Sequence, residues 1–184
     1  MKKLLLIVLC FPLLTLAQQT YVPDNNFEAY LEANNMGNGI ANDDYVTTAN
    51  ISGVTEIKVS RLNIADLTGI EDFTALTKLD CYKNQLTSLD LSNNTALTYL
   101  SFGENQLTKL DVRKNTDLTF LNLAFNKLTK LDVRKNTALI SLFCAYNELT
   151  SLDLTKNTAL TRFSCRYNKF DCDALKAKYG LIGD

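Results

Sequence analysis

The residue types that most often do chemistry are scarce in this sequence. None of its 184 residues is His, which removes the commonest general base and the commonest metal ligand. Four cysteines, Cys81, Cys144, Cys165 and Cys172, lie beyond the N-terminal apolar stretch. A cysteine nucleophile needs a neighbouring base to form its thiolate, and the sequence offers no His for that role. The sequence therefore predicts a protein that is not an enzyme and that holds no cofactor.

Carboxylates form the second candidate group, because Asp90, Asp111, Asp132 and Asp153 recur every 21 residues. A stacked column of carboxylates is a candidate calcium site. However, seven cations lie near these residues in the sequence: Lys109, Arg113, Lys114, Lys130, Arg134, Lys135 and Lys156. We therefore predict a solvated, charge-balanced surface without a metal. The formal net charge of −1 provides no basic excess, so nucleic acid is not an expected partner.

The elements that position these groups follow from a 21-residue repeat beginning at Leu76. Each unit reads L-x-x-L-x-L-x-x-N-x-L-x-x-L-D-L-x-x-N, as residues 118–136 illustrate. The L-x-L alternation predicts a short strand with both leucines on one face. Burying six large apolar side chains stabilises one unit by about 9–18 kcal/mol, whereas ordering its backbone costs on the order of 30 kcal/mol. A unit therefore needs stacked neighbours, and the sequence predicts a repeat solenoid.

This pattern resembles the leucine-rich repeat, and in particular the 21-residue bacterial class known as IRREKO. The resemblance covers 76–170, and a degenerate unit with Val54, Ile57 and Ile64 in matching places precedes it. It implies a coil with a parallel β-sheet face and few or no helices in the repeats. It also implies an internalin-like secreted protein that recognises a protein, a cell surface or a glycan, or acts in adhesion. The alternative is a structural envelope or matrix protein that assembles with itself.

The chain divides into four predicted regions. Residues 1–17 resemble a secretory signal peptide, with Lys2 and Lys3 before an apolar run and small residues up to Ala17. Residues 18–53 are the predicted N-terminal cap, in which Asp24 begins a short helix. Residues 54–170 form the solenoid, with five clear units from residue 76, and residues 171–184 form a helical C-terminal cap. We expect a secreted or periplasmic chain without a membrane span.

The cysteines can be placed within this register. Cys81, Cys144 and Cys165 occupy the inward column that also contains Phe102 and Leu123. A cysteine at such a position serves as a small apolar side chain, so we expect buried free thiols. A Cys165–Cys172 disulfide is the alternative that the sequence leaves open.

The outward positions beside the strand leucines are unusually rich in aromatic residues. The candidate binding residues are Tyr82, Tyr99, Phe120, Phe125, Phe143, Tyr146, Arg162, Arg166 and Tyr167. Large exposed apolar patches mark contact sites, and aromatic residues with Arg are common anchors. We expect Tyr99, Phe120 and Phe143 to be exposed on this face. The column directly before the Asn of each unit contains Phe125, Tyr146 and Tyr167. We interpret these three residues as an edge of the core.

Overall fold

The structure, a computed structural model, describes residues 17–181. The predicted signal peptide lies outside the described residues except for Ala17, and so do the last three residues of the predicted C-terminal cap. Within residues 17–181, no helix is long and apolar enough to cross a membrane.

The chain forms a solenoid in which each coil contributes one strand to a six-stranded parallel sheet. The strands of that sheet are β3 (Glu56–Lys58), β4 (Lys78–Asp80), β5 (Tyr99–Ser101), β6 (Phe120–Asn122), β7 (Ser141–Phe143) and β8 (Arg162–Ser164). They pair in sequence order, with Ile57 beside Leu79 and Leu79 beside Leu100. Paired residues are 22 positions apart in the sequence between β3 and β4 and 21 apart between the later strands. The predicted degenerate unit is therefore one residue longer than the others.

The core contains the inward leucines that the alternation predicts. Leu79, Leu100, Leu121 and Leu142 are completely buried, and Phe163 takes the same position in β8. The segments between strands also contribute buried residues, such as Val112, without forming helices in the described repeats 76–170. The predicted solenoid with a parallel sheet face and few helices is confirmed.

The N-terminal end of the core is covered by four elements: β1 (Gln19–Tyr21), α1 (Asn25–Ala33), β2 (Tyr45–Thr47) and α2 (Thr48–Ile51). As predicted, Asp24 begins α1, and its carboxylate accepts hydrogen bonds from the backbone N–H groups of Asn26 and Phe27. Phe27 is buried, with its ring centroid 6.2 Å from that of Phe73, which precedes the first full repeat. A 3₁₀ turn, Ile70–Asp72, leads into that contact.

The C-terminal end is covered by α3 (Cys172–Tyr179), which begins at Asp171 and ends at Gly180 in a left-handed conformation. Here one expectation is wrong: Cys165 and Cys172 form a disulfide, with Cα atoms 5.6 Å apart. The helix returns Cys172 to the open end of the inward column, where no further coil follows in the described chain. Cys81 and Cys144 are free and completely buried, as predicted.

The cysteine arrangement predicts a specific thiol count. Burial raises the pKa of Cys81 well above its usual value and that of Cys144 to about 12. In protein that lacks residues 1–17, a thiol reagent at mildly alkaline pH should therefore react little before unfolding. Denaturant alone should release two thiols, and denaturant with a reductant should release four. Four thiols without reductant would contradict the disulfide.

Candidate functional site

The outward side of the sheet β3–β8, here called the strand face, displays one set of side chains per coil. The register aligns Lys78, Tyr99, Phe120, Ser141 and Arg162 in one column. A second column, two residues further along each strand, contains Asp80, Ser101, Asn122, Phe143 and Ser164. Because successive coils pair residue for residue, side chains in one column lie about one strand spacing apart, or about 4.8 Å.

Three rings on the strand face form the first aromatic row. The rings of Tyr99 and Phe120 stack with centroids 4.4 Å apart, and Phe120 meets Phe143 at 5.6 Å in a tilted arrangement. Each of the three is half-buried, because each ring covers part of its neighbour. The expected exposure on this face is therefore partial. Contacts of this kind stabilise a pair by about 0.5–1.5 kcal/mol beyond their area burial.

Beyond each strand the chain turns through a left-handed residue. The residues at this position in the six coils are Arg61, Lys83, Glu104, Phe125, Tyr146 and Tyr167, and their φ angles lie between 53° and 62°. For a residue other than Gly, Asn or Asp, such a backbone costs about 1–2 kcal/mol. The turn directs these side chains outward, whereas the next residue in coils such as that of Asn126 points inward.

The last three of these residues form the second aromatic row. Phe125, Tyr146 and Tyr167 are 48%, 42% and 67% exposed. Their rings stack in sequence, with centroid distances of 4.1 and 4.2 Å. The interpretation of this column as an edge of the core is therefore wrong. The left-handed backbone rotates each side chain away from the strand end and into solvent.

Small residues separate the two aromatic rows. Along the chain, Ala145 comes two residues after Phe143 and directly before Tyr146, and Ala124 holds the equivalent place in the preceding coil. Ala145 is only 7% exposed, which indicates that the surrounding larger side chains cover it. In these two coils an alanine therefore lies between the two rows.

The N-terminal half of the same surface is polar. The Tyr82 hydroxyl donates a short hydrogen bond to the Glu104 carboxylate, and Arg61 lies 5.7 Å from the Tyr82 ring centroid. That hydrogen bond raises the pKa of Tyr82 and lowers the pKa of Glu104. Lys83 adds an ion pair to Glu104 at 3.5 Å. Tyr82, one of the predicted binding residues, is thus occupied by internal contacts.

Because Gly103 has no side chain, Tyr82 can extend over it to reach Glu104 in the next coil. A Cβ atom at residue 103 would lie 3.3 Å from the Tyr82 ring and 3.1 Å from the Asn122 side-chain nitrogen. Tyr82 therefore extends over a position without a side chain to reach the next coil. One coil further on, Ala124 takes the place of Gly103, and no tyrosine extends over it.

Two cations flank the aromatic rows at the C-terminal end. Arg162 and Arg166 are exposed, and neither forms an ion pair within the part of the chain that the structure describes. The structure thus brings eight of the nine predicted residues together, six as the two aromatic rows and two as the arginines beside them, while Tyr82 belongs to the polar half. Tyr99 begins the first row where the two halves meet.

The repeat spacing alone places Lys83 and Glu104 in the same column as the second aromatic row, because they precede Phe125 by multiples of 21 residues. Sequence reasoning missed Arg61 as a member of this column. The extra residue in the first unit displaced Arg61 from that alignment. No alternation rule identifies the column as outward, because it lies beyond the end of the strand.

The comparisons with known proteins agree with this architecture. No protein-family model matches the chain. A 74-residue stretch, 40% of the chain, is 44% identical to internalin J of Listeria monocytogenes serotype 4b and covers 8% of it. The solved functional domain of internalin J, which includes a cysteine ladder, aligns with 91% of this chain at 31% identity and a TM-score of 0.60.

A second solved internalin, InlF from Listeria monocytogenes, aligns with 86% of the chain at 26% identity and a TM-score of 0.72. A leucine-rich-repeat protein of Leptospira interrogans shares the fold, with a TM-score of 0.69 at 20% identity. The chain spans 47% of the internalin J domain and 48% of the InlF structure, so it corresponds to less than half of either. The similarity extends over most of the described residues.

The left-handed turn predicts an inverted order of stability for two substitutions. Tyr146→Gly and Tyr146→Ala both remove the stacked ring, but only Ala retains a Cβ atom at a φ of 55°. The Gly variant should therefore be more stable than the Ala variant by about 1 kcal/mol in urea unfolding. At Arg162, an exposed strand position, the order should be the usual one, with Gly less stable than Ala by about 0.5–1 kcal/mol. An Ala variant at 146 as stable as the Gly variant would contradict the turn.

Proposed function

We propose that this chain, a leucine-rich-repeat solenoid of internalin-like character, recognises a protein partner through the two aromatic rows of its strand face. The leucine-rich-repeat fold supports a role in protein interaction in general. The choice of surface rests on Phe125, Tyr146 and Tyr167, which remain exposed although they are large and apolar.

The fold itself does not require aromatic residues at the left-handed turn. Arg61, Lys83 and Glu104 occupy the same turn in the first three coils with the same backbone conformation. The turn therefore does not account for three large, exposed aromatic residues at this position, and they need another explanation. A partner that covers the rings would supply that explanation, because buried aromatic rings are frequent anchors of binding energy.

The ring geometry favours a protein over a glycan. Sugars bind aromatic residues by lying on an open ring face. In the second row each face between neighbouring rings is covered, with centroids 4.1–4.2 Å apart, so the rings present mainly their edges to solvent. Exposed ring edges suit apolar side chains of a polypeptide, and Arg162 and Arg166 suit acidic groups beside them.

The proposed location is outside the cytoplasm, either secreted or periplasmic. Two observations support it: the signal-peptide pattern that ends near Ala17, and the disulfide between Cys165 and Cys172. Structural disulfides persist in oxidising compartments and are rare where thiols are kept reduced. A role in adhesion to another cell is the extension of this proposal that the internalin-like character suggests.

The proposal can be tested with a phage-displayed library of random peptides selected on the full chain. The selected peptides should lose binding to the variant Phe125→Asn/Tyr146→Asn, by about 2 kcal/mol or more per anchoring ring. Asn tolerates the left-handed backbone, so the variant removes the rings while keeping the turn. A first-row variant, Phe120→Ser/Phe143→Ser, should weaken binding in the same way.

The matched control is Tyr21→Asn/Tyr45→Asn. These two tyrosines also form an exposed pair, with centroids 5.5 Å apart, but they lie on β1 and β2, away from the strand face. The control should bind the selected peptides at full strength. Peptides that bind the second-row variant as well as the unaltered chain would contradict the proposed surface. A glycan array in parallel would contradict the proposed partner class if glycans, and not peptides, depended on the two rows.

A further inference from the structure

A second outward surface lies on the segment of each coil between its two Asn columns, for example between Asn105 and Asn115. We call it the basic face and define it by the five lysines Lys109, Lys114, Lys130, Lys135 and Lys156 together with Arg113 and Arg134. All seven residues are exposed. The 21-residue period places Lys114, Lys135 and Lys156 in one column, one coil apart, with Lys109 and Lys130 in another.

Each arginine of the basic face is already paired within its own coil. Arg113 donates from two side-chain nitrogens to Asp111, and Arg134 does the same to Asp132. These contacts lower the pKa of each aspartate to about 2. Two of the four aspartates predicted to be balanced by nearby cations, Asp111 and Asp132, are therefore paired with the arginines. Asp90 is attracted to Lys114 without a direct ion pair.

The five lysines of the basic face take no part in these Arg–Asp ion pairs. Within residues 17–181, none of the five lysines forms an ion pair or a hydrogen bond. Two coils therefore each present two ammonium groups without a direct ion pair, and a third coil presents Lys156. Arg113, Arg134, Lys135 and Lys156 also line an open depression of about 530 Å³, together with Asp132 and Thr137.

The whole chain is polarised in the same sense. Between residues 17 and 75 there are nine acidic and two basic side chains, whereas residues 76–181 contain ten acidic and fifteen basic side chains. The formal net charge of −1 thus conceals an acidic N-terminal region and a basic solenoid. An asymmetry of this kind points to an anionic partner for the basic part.

We propose that the basic face binds a linear sulfated polysaccharide that runs along the solenoid axis. A column of lysines separated by about 4.8 Å per coil matches a chain with about one or more anions on each sugar. Flexible lysine side chains can meet sulfate groups as point charges without fixed geometry. The proposed site is separate from the aromatic rows, so it adds a second ligand class to the proposed protein recognition.

Other polyanions fit this surface less well. Single-stranded nucleic acid is generally held by aromatic side chains on which its bases stack. The outward positions of residues 109–117 and 130–138 contain Lys, Asp, Arg, Thr and Ala, and no aromatic residue. Surfaces that bind membranes commonly add apolar side chains that enter the lipid, and the basic face has no exposed large apolar side chain for this purpose.

The test measures binding of heparin to the full chain by calorimetry at several salt concentrations. The variant Lys114→Gln/Lys135→Gln/Lys156→Gln should bind heparin about tenfold or more weakly at low salt. Its plot of log affinity against log salt concentration should be shallower by about three, close to one per lysine removed. The control Lys83→Gln/Lys127→Gln/Lys169→Gln changes the net charge equally, at lysines that already contact Glu104, Gln106 and Glu148.

The control should retain most of the affinity and of the salt dependence. Equal losses in the two triple variants would overturn the proposal, because binding would then follow net charge rather than the basic face. The absence of heparin binding at physiological salt would also overturn it. So would an oligonucleotide or phosphatidylserine vesicles binding as tightly as heparin. The variant Phe125→Asn/Tyr146→Asn should bind heparin normally, which separates this site from the aromatic rows.

Discussion

Each coil depends on its neighbour to satisfy its buried polar groups, and this constraint fixes the register of the whole solenoid. The backbone N–H of Leu107 donates to the side-chain oxygen of Asn126 in the next coil, at 2.9 Å. The side-chain nitrogen of Asn126 donates back to the carbonyl oxygen of Phe102, also at 2.9 Å. A buried group left unpaired costs about 1–3 kcal/mol, so a slip of one residue would be penalised in every coil. Outward side chains consequently stand in columns, whatever their type.

This arrangement separates the residues that make the fold from those available for function. Inward columns are restricted to Leu, Ile, Val, Phe, Cys and Asn, whereas an outward column can change its character from coil to coil. At the left-handed turn it passes from the charged Lys83 and Glu104 to the aromatic Phe125 and Tyr146 without a change in backbone. The same freedom gives the middle coils their lysines on the basic face. One scaffold can therefore present two chemically different surfaces.

The sequence was sufficient to predict the architecture because the strand period and the 21-residue repeat report directly on burial. It predicted Leu121 inward and Phe120 outward, and it identified α1 and α3 from Asp24 and Asp171. The orientation of Phe125 could not be predicted, since alternation ends with the strand and bulky residues rarely adopt a positive φ. The sequence left the disulfide only as an alternative because Cys172 belongs to no column, and the return of α3 is what brings it to Cys165.

One register sends Phe125 and its neighbours into solvent while the rings of the inward columns stay in the core. Hydroxyl-radical footprinting with mass spectrometry measures this directly, ring by ring, on the folded chain. Phe125, Tyr146 and Tyr167 should be oxidised readily, Phe120 and Phe143 more slowly, and Phe102 and Phe163, which are at most 1% exposed, hardly at all. Oxidation of Phe125 as slow as that of Phe102 would contradict the account.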